Sequence, residues 1–274
     1  MSLVFYVDKE SFFHRLHPVT KIVLLLLIQI GGLGIMILSY FAVFSAHQRI
    51  SLEEKMMLSY MLSEENMNRL SRRIASIISA TFIIEAIGAL LLLPAFSAAR
   101  DGTGEAVFYA LFHAVSAFCN AGFALFSDSL EGFSGNLLVN GTIAVLIIIG
   151  GISFSVIIEV SGRAAHYFER LWYSVSESLR RREKSGLFEE RRSFHSAFPK
   201  KYSLNSRVVL TGTGLLLLFG MLLFYLTEHT ETLAQLPTGT QYLAAFFQSV
   251  TLRTAGFNTI PIGELATGTL LIMM

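Results

Sequence analysis

FHAVSAFCNAGF, Phe112 to Phe123, decides how this chain folds, because a second copy, FQSVTLRTAGF, stands at Phe247 to Phe257. The shared pattern is F-[HQ]-x-V-[ST], a few residues, then A-G-F, with one residue of gap. Each copy closes a short apolar stretch, Ala106 to Phe118 and Gln241 to Thr251. At about 1.5 Å of rise per residue, a helix of either length reaches roughly half of a bilayer core about 30 Å thick. Such a segment lies on a membrane or dips into it and returns. The Ala-Gly-Phe after it is then a return loop, and irregular backbone at that depth is tolerated only where it is buried in protein or lines water.

Working outward, four apolar runs long enough to cross surround the two copies. They are Ile22 to Ala46, Ile74 to Ala99 (carrying one charge, Glu85), Leu137 to Ile158 and Val208 to Thr227, and a fifth begins near Leu265. With 53% hydrophobic and 15% charged residues in 274, the chain is too apolar for a soluble domain of its size. Lys9, Arg15 and Lys21 precede the first run, but it is too long for a secretory signal and no small-residue cleavage site follows. It reads as a span. The single cysteine, Cys119, excludes an intrachain disulfide and a cysteine metal cluster.

Most of the 21 Lys and Arg residues fall in two connections, Arg49 to Arg73 and Arg163 to Arg207. The other connections are acidic, with Asp101, Glu105, Asp128, Glu131, Glu228 and Glu231. The positive-inside rule therefore puts 47–73 and 163–207 in the cytoplasm, and both re-entrant segments enter from the outer face. The cluster from Arg180 to Arg192 reads either as a docking site for a cytosolic partner or lipid headgroups, or as a topology determinant alone. A net charge of +1 is nearly neutral and by itself argues neither for nor against nucleic acid; no nucleic-acid partner is expected.

A second repeated motif, IQIGGLG at Ile28 to Gly34 and IIIGGIS at Ile147 to Ser153, sets Ile-Gly-Gly at the same depth of spans one and three. The expected fold is all-α integral membrane, with repeated span, re-entrant pore helix, span units around a pore axis. Residues 1–73 form the end of a first repeat (span 22–46) with a cytoplasmic loop. Residues 74–162 form a complete second repeat with its pore loop at 106–123. A basic cytoplasmic linker at 163–206 follows, then a third repeat at 207–274 with its pore loop at 241–258.

A re-entrant helix running inward directs its partially negative C-terminal end at mid-membrane, which favours a cation there. Glycine lets the following backbone take dihedrals closed to other residues, and carbonyls of such a loop can replace an ion's hydration shell. Gly122 and Gly256 are the candidates, with the carbonyls of Asn120, Ala121, Thr254 and Ala255 beside them. The alternative is a pair of helix-breaking loops packed between spans.

At IQIGGLGIM (28–36), SAFCNAGF (116–123), IIIGGISF (147–154) and SVTLRTAGFNT (249–259) the sequence resembles the Trk/Ktr/HKT superfamily of potassium transporters, in its KtrB/TrkH type. The resemblance implies a potassium-selective pore subunit of the cell membrane, embedded in lipid, homodimeric, with a cytosolic nucleotide-binding regulatory partner. Potassium is the implied ion, with sodium as a coupling ion the family allows. The filter positions carried over are Asn120, Ala121 and Gly122, then Thr254, Ala255 and Gly256. Phe123 and Phe257 follow them as supports. The opening MSLVFYVD resembles the stretch after a first filter, so the expectation is a partial subunit without the first filter or the fourth repeat. A non-transporting fragment is the alternative reading.

Arg253 stands inside the third-repeat loop, where its cation is expected to brace carbonyls rather than face an ion. His113, opposite Gln248 of the repeat, reads as a polar contact to the adjoining loop, since no ligand-spaced partner accompanies it. Glu85 is expected to be a hydrogen-bonded carboxyl between helices, with ion binding as the second reading. Glu159 is expected to meet Arg163 at i and i+4. HExxH, GxSxG and paired intramembrane aspartates are all missing from the sequence, so an enzyme is not expected.

Overall fold

The computed structural model describes residues 16–33, 67–100, 102–154, 156–163 and 202–273, with single positions at 56, 167 and 172. The opening MSLVFYVD, the end of the first span, the connection 47–66 apart from position 56, and the Arg180 to Arg192 cluster lie outside the described residues, whereas 67–73, expected in the first loop, are helical. Every regular element among the described residues is helical. In chain order these are α1 (Pro18–Leu33), α2 (Met67–Ala99), α3 (Thr103–Phe118), α4 (Leu137–Gly150), α5 (Leu204–Glu228), α6 (Thr238–Thr251) and α7 (Thr267–Met273). A further helical stretch covers 156–163. The chain divides into two compact units, Met1–Gly151 with Thr213–Met274, and Ile152–Gly212.

Two helices have the length and apolar composition of a full membrane span, Ile74–Ala99 and Leu204–Glu228. On α5 the side chains of Leu215, Leu216, Leu218, Phe219 and Leu222 are exposed. An apolar face of that size is costly in water and neutral in lipid. The pore helices α3 and α6 each begin three residues before the expected start, at Thr103 and Thr238. Those leading residues are polar, so apolarity alone does not count them, yet Glu105 in the first turn of α3 suits the positive helix end.

The span expected over Leu137 to Ile158 is broken. α4 starts where Asn136 accepts from the backbone N–H groups of Leu138 and Val139 at 3.1 and 3.2 Å, and it stops at Gly150 with Gly151 as C-cap. The reason lies in packing. Gly150 sits against the carbonyl oxygen of Phe118, and a Cβ there would overlap it. Gly32 of α1 approaches the other side of the same helix end, where a Cβ would overlap Cys119 Sγ. Both Ile-Gly-Gly motifs therefore close on the C-terminal end of α3.

The main core forms where α2, α4 and α1 enclose α3. Every residue of α3 from Phe112 to Phe118 is buried. Phe96 of α2 is completely buried and packs edge-on against His113 and Phe126 at centroid separations of 5.2 and 5.1 Å. A smaller core joins α5, α6 and the returning chain through Phe224, Leu233, Ala245 and Ile260.

Candidate functional site

Each of the short helices α3 and α6 ends in a backbone that no ordinary helix continues. After α3, Asn120 takes φ +53° and Gly122 φ +71°; after α6, Gly256 takes φ +87°. These are left-handed values that favour glycine and, next, asparagine. Ala121 N–H donates to Ser116 O at 2.8 Å, and Ala255 N–H donates to Thr251 O at 2.9 Å. The bonds join equivalent positions of the repeat, but the first return carries one more residue, and only there does the residue two before the glycine, Asn120, turn left-handed.

The two loops meet. Gly122 lies so close to the carbonyl oxygen of Ala255 that a Cβ would overlap it, and a Cβ on Gly256 would stand 3.7 Å from Gly122 Cα. Thr254 Oγ1 donates to Asn120 Oδ1 at 3.2 Å. Further along, Leu130 N–H donates to Asn258 O at 2.9 Å and Asn258 N–H to Ser129 Oγ at 3.3 Å. Asn258 Nδ2 also donates to Glu131 Oε1 at 3.4 Å. Phe257 is buried and its ring stacks on His113 of the other repeat at 6.3 Å. Although α3 is buried at its end, Asn120, Ala121 and Gly122 are part-exposed and Thr254 and Gly256 are exposed. Ala255, between Thr254 and Gly256, is buried with its carbonyl oxygen against Gly122, so the exposed part of the loops is limited to the other five residues.

His113 uses both ring nitrogens within the protein. Its Nδ1 stands 2.7 Å from Tyr109 O, and its Nε2 accepts from Leu125 N–H at 3.3 Å. A carbonyl partner requires a proton on Nδ1, and an N–H partner requires a lone pair on Nε2, so the ring is the neutral Nδ1–H tautomer. It ties the pore helix to its returning chain. Ser116 Oγ adds a parallel tie, donating to Phe123 O at 2.8 Å. Gln248, the equivalent of His113, is fully buried, and neither of its amide atoms has a hydrogen-bond partner among the described residues. Arg253 is half-buried, and no side-chain partner of its guanidinium is found among the described residues.

Glu85 is buried on α2, where its Oε1 accepts from Gln29 Nε2 at 3.0 Å and from Cys119 Sγ at 4.0 Å. The carboxyl thus joins α1, α2 and the residue just before the second-repeat loop. Burial, together with Asp128 and Glu264, pushes the Glu131 carboxyl above its usual range, partly offset by the Asn258 hydrogen bond. Among the described residues no group of three His, Cys, Asp or Glu side chains is arranged to hold a metal ion.

Sequence reasoning missed the cross-loop contacts of Asn258, Ser129 and Glu131, and the roles of Gly32 and Gly150. Gly32 and Gly150 carried a signal, the repeated Ile-Gly-Gly, though not the partner they pack on. Asn258 stood in a quoted motif with nothing to say which strand of chain it faces.

The family described as "TrkH: Cation transport protein" matches residues 12–274. The Ktr system potassium uptake protein B of Vibrio alginolyticus is 38% identical over 256 residues, 93% of this chain and 49% of that protein. The protein of the same name from Bacillus subtilis (strain 168) is 32% identical over 254 residues, 90% of this chain and 48% of that protein. The potassium/sodium uptake protein NtpJ of Enterococcus hirae is 31% identical over 255 residues, 93% and 49% respectively. The chain spans about half the length of the curated relatives it matches.

Proposed function

The chain belongs to the TrkH cation transport protein family, and from that premise we propose that it is part of a pore-forming subunit for potassium uptake across the cell membrane. The ion passes a filter of backbone carbonyls contributed by Asn120, Ala121 and Gly122 and by Thr254, Ala255 and Gly256. The observation that carries this reading is the meeting of two left-handed return loops, Gly122 against Ala255 and Gly256, at the ends of two short helices. A helix C-terminus favours a cation, and carbonyls of the part-exposed loop residues can stand in for its water. His113, Phe123 and Phe257 hold the loops. Potassium is the substrate, consistent with the names of the relatives; sodium enters as a coupling ion, an idea that the name of NtpJ supports.

In this reading 1–73 closes a first repeat, 74–162 is a whole repeat, 163–206 is a cytoplasmic linker and 207–274 opens a third repeat. The multi-pass subunit sits in the cell membrane, pairs as a homodimer and meets a cytosolic nucleotide-binding partner; the word "system" in the relatives' names fits an assembly of several subunits. It is a transporter and not an enzyme.

Rubidium or potassium uptake by the complete protein that carries this segment, in cells lacking their own potassium uptake, tests the filter. Gly256→Ser forces a side chain onto φ +87°. Loss of uptake or of potassium over sodium preference is expected. Wild-type selectivity in that variant overturns the filter assignment.

A further inference from the structure

We propose that the Asn120 carboxamide and the Thr254 hydroxyl form a strut between repeats that holds the two return loops in register and sets how well potassium is distinguished from sodium. The proposal rests on the filter reading and extends it from backbone carbonyls to a side-chain pair.

Asn120 occupies a position where side chains other than asparagine, aspartate and glycine are strained, at φ +53°. That conformation turns its carboxamide across the end of its own helix. Nδ2 donates to Phe118 O at 3.3 Å, while Oδ1 accepts from Thr254 Oγ1 at 3.2 Å. The room it occupies is left by the α4 break. A Cβ on Gly150 would stand 3.1 Å from Asn120 Nδ2, and one on Gly151 would stand 3.8 Å from both carboxamide heteroatoms. One side chain therefore touches the end of α3, the glycine break of α4 and the loop after α6.

Asn120 and Thr254 are equivalent residues of the repeat, each two before its glycine. The strut thus crosses the loops at one level, beside the close approach of Gly122 to Ala255. A second set of ties, from Asn258 to Ser129, Leu130 and Glu131, crosses farther along the return. Between these two fixed points the separation of the two loops, and so of the carbonyls they carry, is set. Selectivity among monovalent cations depends on that separation and on how freely the carbonyls move, whichever of the two dominates. Without the strut, the bonds nearest the ion would keep their backbone form but lose a fixed distance.

The test is a double-mutant cycle read as the ratio of potassium to sodium uptake by the complete protein in transport-deficient cells. Asn120→Gly keeps the left-handed backbone and the carbonyl while deleting the carboxamide. Thr254→Val keeps the shape while deleting the donor. Each is expected to lower the ratio by roughly threefold to tenfold, the range for one hydrogen bond. The double variant should fall no lower than the worse single one, and Thr254→Ser should restore most of what Thr254→Val loses. Independent, multiplying losses overturn the strut, as does a Thr254→Ser variant no better than Thr254→Val or an Asn120→Gly variant with an unchanged ratio. Gly256→Ser separates the two readings: if it destroys selectivity while the cycle is additive, the filter stands and the strut falls. If selectivity survives Gly256→Ser, the filter itself falls.

Discussion

At the scale of single residues, the balance between a glycine and the group it admits decides the geometry around the return loops. Gly150 lies against Phe118 O, so Gly150→Ala must either displace the end of α3 or shift α4. Overpacking of a tight contact costs about 1 to 3 kcal/mol, and because Phe118 O is backbone and not a flexible side chain, the upper part of that range applies. Thermal unfolding of the purified complete protein in detergent checks it, and an unchanged midpoint would contradict the contact. Glu85 sorts differently. Its carboxyl satisfies Gln29 and Cys119, and a carboxamide oxygen can accept the same bonds. Glu85→Gln should therefore keep potassium uptake near that of the parent. Glu85→Leu leaves the Gln29 amide unpaired and should cost about 1 to 3 kcal/mol of stability. Loss of uptake in Glu85→Gln with stability intact would instead make Glu85 an ion ligand. The need for Glu85 to find a polar partner was legible in the sequence, because a charge in mid-span is costly. Which partner was not, since Gln29 lies 56 residues away and only packing brings it near.

Between elements, short polar ties fix helix ends that hydropathy does not see. Glu159, just past the end of the expected third span, accepts from Arg163 Nη2 at 3.1 Å as spacing predicts. It also accepts from Ser203 N–H at 2.9 Å, from Ser203 Oγ at 2.8 Å and from Ser206 Oγ, at the N-terminus of α5. Arg163 in turn lies 3.9 Å over the Tyr202 ring. A carboxylate at a helix N-terminus meets free N–H groups and the positive end of the dipole. The Ser206 hydroxyl first, then the Ser203 groups and Arg163, draw its pKa from 4.5 down to about 2. A depressed carboxylate stabilises the fold above its unfolded value and loses that contribution as pH falls through the folded one. The staple is thus fully in place at neutral pH and fades only between about 4.5 and 2. Hydrogen exchange at the Ser203 amide is the measurement: protection constant from neutral pH down to about 4.5 after correction for intrinsic exchange, and lost at neutral pH in Glu159→Ala. Protection surviving that substitution would remove the staple. Adjacent charges at i and i+4 could be paired from sequence. The serines 44 and 47 residues on could not, because a helix cap has no periodicity to betray its long-range partner.

Across the whole molecule, the repeat was the legible part and the break in the third span was not. Two matched motifs announced two short helices with like loops, and both formed with their glycines left-handed. The run from Leu137 to Ile158 gave no warning of stopping at Gly150, since apolarity is continuous through Ile-Gly-Gly and the Phe118 carbonyl that Gly150 admits comes from a distant part of the sequence. Charge, by contrast, gives an expected orientation without any packing. Acidic residues Asp128, Glu131 and Glu228 lie on connections assigned outside, whereas Arg163 and Arg207 belong to the basic connection assigned inside. With Cys119 as the single cysteine, a Cys119→Ser background makes the assignment measurable in the complete protein once any other cysteines are removed. A cysteine at exposed Ser127 should react with a membrane-impermeant maleimide on intact cells. One at exposed Ser161 should react only after the membrane is opened. In the proposed reading the two return loops enter from the side that Ser127 reports, so the opposite labelling pattern would overturn that orientation and with it uptake through an outer filter.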